Sequence, residues 1–111
     1  MLVAMLKSLR LVDMGMDVAW DFLIGTSLVF LSVALGGNAH YGKTWGVITG
    51  TLGLALIILN AVTFPWPPDT RGLFDLGPFI GVFIIAISVR LMMIGMRGLR
   101  AAGAHHPRGA A

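Results

Sequence analysis

The residues best able to do chemistry in this chain are three aspartates at helical spacing, Asp13, Asp17 and Asp21, and one arginine, Arg90, deep in an apolar stretch. The aspartates continue a series that opens with Lys7 and Arg10 and returns at Ser32. Steps of three and four keep side chains on one face of a helix, and at about 100° per residue all six fall within a sector of about 120°. Arg10 and Asp13 form an i,i+3 pair of opposite sign, whereas Asp13 with Asp17 and Asp17 with Asp21 are like-charged i,i+4 pairs that repel. Water, a cation, a partner's basic residue or a proton must neutralise them.

Depth in a membrane decides among those uses. If the apolar span begins at Trp20, an aromatic suited to the headgroup level, Asp13 and Asp17 stand in water and Asp21 lies just inside. If the stripe sits deeper, it docks on another subunit or lines a proton or cation path. An Asp at the centre of a span costs about 2.5–3.5 kcal/mol on the insertion scale and calls for a partner. Arg90 falls in the middle of the third apolar stretch, and helical side chains lean toward their own N-terminus. With the first and third helices running the same way, Arg90 leans toward Asp17 and Asp21, which makes the three a candidate intramembrane charge pair or proton site with an Arg90–Asp21 bridge. The competing expectation is that Arg90 snorkels to headgroups or water.

The elements that must position these residues are helices in a bilayer. Of 111 residues, 57% are hydrophobic and 12% charged, about half the 25% charged share of a soluble domain. A hydrocarbon core of about 30 Å needs roughly 20 apolar residues per helix. Three stretches qualify, at about 18–37, 46–64 and 78–98, so the expected fold is an all-α membrane protein, a bundle of three transmembrane helices in one domain over residues 1–100. If one helix runs from about Leu2 to Leu35 it is roughly 50 Å long, longer than the membrane core, and its first turns, an amphipathic extension, project from the bilayer or lie along its surface. A barrel is excluded because Leu52 to Leu59 is continuously apolar, where barrel strands alternate. Asp13, Asp17 and Asp21 also argue against a cleavable signal peptide.

The connectors carry turn residues. Gly36, Gly37 and Gly42 mark the first, with Tyr41 and Trp45 at a headgroup level. In the second, Pro65, Pro67 and Pro68 stop the second helix, and Asp75 with Pro78 suits the start of the third. Phe64, Trp66 and Phe74 are expected at the opposite interface. Residues 101–111, rich in Ala, Gly, Pro and His, read as a mobile tail.

On the second helix Gly46, Gly50 and Gly53, with Thr49, form a small-residue face for helix–helix or partner packing; Gly95 and Gly98 make a lesser patch on the third. Asn60 can donate and accept inside the bundle. Other constellations are missing: the chain has no cysteine, and His40, His105 and His106 all lie outside the apolar stretches. No phosphate loop, dinucleotide fingerprint or nucleophile elbow occurs. We therefore expect no enzyme, no cofactor, no metal and no nucleic-acid partner. The partners expected are membrane lipids and either other membrane subunits or further copies of the chain, in a multi-pass protein of a bacterial-type inner or plasma membrane.

Basic residues do not orient the spans. Lys7, Arg10 and Arg71 fall on one side, and Lys43, Arg97, Arg100 and Arg108 on the other, so a partner fixes the orientation, both orientations occur, or the first segment lies at the interface and only a hairpin crosses. The function that fits these features is a small non-catalytic membrane subunit that packs in and stabilises a larger or oligomeric complex. The alternative is a homo-oligomeric channel or proton-coupled small-solute transporter using Asp17 or Asp21, and a third is a holin-like pore former.

Overall fold

A computed structural model describes residues 1–104, apart from the side chains of Asp69 and Thr70. The described chain is helical: α1 (Leu2–Leu35), α2 (Lys43–Thr63) and α3 (Gly77–Ala104), with a single 3-10 turn, Pro68–Arg71, in the second connector. All three helices are long and apolar enough to cross a membrane. The molecule is elongated, 76 × 31 × 18 Å, because α1 runs past α2 at one end and α3 runs past it at the other.

Helix starts and stops follow local chemistry. Gly42, at φ 90°, holds a backbone angle that favours glycine and opens α2 three residues before the expected Gly46. Pro65 and Pro67 end α2 after Thr63, as expected of residues that remove donors. Asp75 Oδ1 accepts the backbone N–H of Gly77 at 2.8 Å and caps the start of α3. At its far end α3 continues through 101–104, so those four residues of the expected tail are helical; Ala101, Ala102 and Ala104 are good helix formers. The rest of that tail, with His105 and His106, lies outside the described residues.

α1 and α2 form a close antiparallel hairpin. The buried residues of α2 are Gly46, Thr49, Gly53, Leu56, Asn60 and Thr63, spaced three, four, three, four, three, which is the seam of a coiled-coil pair. On α1, Val18, Asp21, Gly25, Leu28 and Ser32 keep the same rhythm. The seam is narrow because its residues are small: a Cβ on Gly46 would lie 2.7 Å from the Gly36 Cα, and one on Gly53 2.6 Å from the Gly25 carbonyl oxygen.

α3 is held differently. It makes almost no backbone approach within 8 Å to either partner and meets the hairpin through large side chains, Ile80 and Ile87 against Leu28 and Leu56, flanked by Ile84 and Leu91. Long apolar grooves of about 470 Å³ between α1 and α3 and about 560 Å³ along the α2 side of α3 remain open.

Candidate functional site

The hairpin carries polar groups at two levels. At the level of the second connector, Asn60 is fully buried and its Nδ2 donates at 3.0 Å both to Asp21 Oδ2 and to the Leu56 carbonyl. Asn60 lies three residues before the end of α2, about 4.5 Å by helical rise, so Asp21 is bonded about one turn inside that end. Asp17, a turn earlier on α1, is exposed. Asp17, Asp21 and Asp75 line a cavity of about 220 Å³ roofed by Pro67, Pro68 and Phe74. Among the described residues no three His, Cys, Asp or Glu side chains are gathered closely enough to hold a metal ion.

The charge stripe of α1 thus splits in two. Its inner members face α2 within the same chain: Asp21 bonds Asn60, and Ser32 Oγ donates to the Gly46 carbonyl at 2.7 Å. Its outer members, Lys7, Arg10 and Asp13, are exposed, and Lys7 and Arg10 border a groove against Trp66 and Arg71 of the second connector.

Arg90 does not meet Asp21, and the expected bridge is corrected. Its Nε and Nη2 donate to the Tyr41 carbonyl at 3.1 and 2.7 Å, and Nη2 also reaches the His40 carbonyl at 3.2 Å. Those acceptors precede α2, whereas Asp21 bonds near its far end. The seventeen residue steps from Lys43 to Asn60 separate the two levels by about 25 Å. The physical reason is length: an arginine side chain can carry its charge several ångströms from its Cα to the nearest acceptors, which here stand in the connector before α2. It snorkels, but to backbone oxygens of the protein's own first connector.

Around that guanidinium the connector is ordered by a small network. The Arg90 Cζ lies 5.0 Å from the centroid of the Trp45 ring, within the range of a cation–π contact, and Trp45 stacks on Phe83 of α3 at 5.9 Å with 17° between planes. Tyr41 is 1% exposed, and its hydroxyl lies 2.8 Å from Thr49 Oγ1. Thr49 Oγ1 donates to the Trp45 carbonyl at 2.6 Å. A threonine hydroxyl has one proton, so with that proton on Trp45 the Tyr41 hydroxyl donates to Thr49. Among the described residues Arg90 provides the only side-chain hydrogen bonds from α3 to the hairpin.

Gly46, Gly50 and Gly53 all face α1: a Cβ on Gly50 would sit 2.7 Å from Ser32 Oγ, beside the close approaches at Gly46 and Gly53. That face is occupied within the chain. Gly95 and Gly98 have open space over them. Sequence reasoning missed the α1 side of the seam, although Gly25, Ser32 and Gly36, at steps of seven and four, were there to be matched against α2. It also missed Tyr41, read only as an interfacial aromatic, and Trp45 as the ring under Arg90. No known protein-family model, curated protein or solved structure matches the chain.

Proposed function

We propose that this chain is a non-catalytic, multi-pass membrane subunit, of an inner or plasma membrane, that packs α3 against another membrane protein and so stabilises a larger assembly. The observation that carries this reading is the contrast between its helices. The α1–α2 seam is closed by small residues and polar ties, while α3 rests on it through a few isoleucines and leaves an open apolar groove along each side. A helix that completes so little packing inside its own chain has its faces available to a neighbour's helix, and Gly81, Gly95 and Gly98 leave its backbone open to close approach. Native mass spectrometry of the full chain from mild detergent tests this: a mixed complex is expected, lost on Ser88→Phe, which fills the α1–α3 groove. A chain that is only monomeric or only homo-oligomeric overturns the reading.

A second reading is favoured by one specific feature, the buried Asn60 amide directed at Asp21 beside a cavity that Asp17 and Asp75 also line. In that reading Asp21 is the titrating carboxylate of a homo-oligomeric, proton-coupled transporter. Reconstituted Asp21→Asn should then lose proton-coupled flux, and unchanged flux removes the idea.

A further inference from the structure

Acidic charge is segregated along the molecule, whereas basic residues occur at both ends. All five acidic residues, Asp13, Asp17, Asp21, Asp69 and Asp75, belong to the first part of α1 or to the second connector, at one end. The opposite end, made of the first connector, the start of α2 and the last turns of α3, has no acidic residue and carries Lys43, Arg90, Arg97 and Arg100. Lys43, Arg97 and Arg100 are exposed. Arg97 lies two turns beyond Arg90 on nearly the same face of α3, about 10 Å further along, and Arg100 follows one turn later. Because Arg90 reaches the connector that precedes α2, these later arginines project past the start of α2, at the level where a bilayer spanned by α2 has its headgroups.

Arg90 itself is only partly used. Its Nε and Nη2 are bound to the Tyr41 and His40 carbonyls and its plane is held over Trp45, while Nη1 makes no hydrogen bond among the described residues. The group is half-buried, so it is a fixed, partly desolvated cation with two N–H donors to spare. Phosphate oxygens suit such donors, and among the described residues no carboxylate at this end competes for them.

We infer that this end of the molecule is a binding surface for an anionic phospholipid, with the lipid phosphate received by Arg90 and its net charge matched by Arg97, Arg100 and Lys43. The surface places this end in the leaflet richer in anionic lipid. It does not depend on the subunit reading, since a lipid can be held by a monomer. Each basic residue near a membrane surface contributes about 1 kcal/mol toward anionic lipid, or about fivefold in affinity.

The test is native mass spectrometry of the full chain from mixed micelles holding phosphatidylglycerol and phosphatidylcholine. Phosphatidylglycerol adducts should dominate. Arg97→Gln with Arg100→Gln, at exposed positions on the final turns, should leave helix content intact and weaken that lipid by about 25-fold. Lys7→Gln with Arg10→Gln, at the other end, should leave the preference unchanged. Arg90→Lys should weaken phosphatidylglycerol as well, and if it fails to fold the Arg97 and Arg100 pair still decides. Equal retention of the two lipids, equal loss from the Lys7 and Arg10 pair, or displacement of phosphatidylglycerol by an excess of inorganic phosphate would each overturn the proposal, the last by showing a free-anion site.

Discussion

Asn60 carries the heaviest polar obligation in the hairpin. It is a fully buried amide whose Nδ2 serves both the Asp21 carboxylate and the Leu56 carbonyl, while its Oδ1 has no partner among the described residues. Replacing it by Leu removes an orphaned acceptor but leaves Asp21 without its donor, and an unsatisfied charged group costs more than a neutral one. Asn60→Leu should therefore destabilise the hairpin by about 1–3 kcal/mol, and Asp21→Asn in the same background should restore much of the loss. Unfolding in a mixed-detergent titration measures both, and a double variant no better than the single would show that the pair is not coupled. The sequence made Asn60 legible as a bundle-facing polar residue, and Asp21 as the end of a stripe. It could not join them, because residues 39 apart in sequence meet only once the register of the hairpin is set. Of the two expectations for Arg90 the bridge to Asp21 fails for a related reason: the lean of a Cβ predicts where a short side chain goes, and a side chain with several rotatable bonds goes where acceptors are, here the Tyr41 and His40 carbonyls.

At the scale of the helix, small residues do opposite things depending on what faces them. Gly53 lies against the Gly25 carbonyl and Leu28, with a Cβ position 2.6 and 2.9 Å from them, whereas nothing stands within 4 Å of the Cβ position of Gly95. Gly53→Ala should force the seam apart, at about 1–3 kcal/mol for overpacking. Gly95→Ala should stabilise α3 by about 0.5–1 kcal/mol in helix propensity unless a partner lies over it, in which case it should weaken that complex instead. The two variants, followed by unfolding and by complex size, separate intrachain from interchain use of glycine. Hydropathy alone sufficed to find the three helices, since length and apolarity are summed over about 20 residues and tolerate local error. The glycines of α2 were legible as a packing face by their spacing. Their occupant was not, because spacing describes one surface and the partner is a second surface, here Gly25 and Ser32 of α1 with Gly36 just after it.

For the whole molecule, the register of the hairpin bears on how many times the chain crosses. Basic residues balance between the two ends, which left open an arrangement with the first segment flat on the membrane and only α2 and α3 crossing. The geometry of the seam argues against it. Gly25 meets Gly53, Gly36 meets Gly46 and Asp21 meets Asn60, so residues 21–36 of α1 lie alongside nearly the full length of α2, antiparallel to it. If α2 crosses, α1 crosses with it, and α3, running back from the end where α2 finishes, makes a third passage. The start of α1 and the end of α3 then face opposite sides. The absence of native cysteine makes this directly measurable: Val3→Cys and Ala102→Cys sit on exposed helix ends, and a membrane-impermeant maleimide added to sealed vesicles should label one and not the other. Labelling of both from one side in a uniform population would mean an even number of crossings and would break the link between α1 and α2. Partial labelling of each, in equal measure from either side, would instead mean that the chain inserts both ways, which the near balance of basic residues permits and which the anionic-lipid surface at the α3 end should suppress.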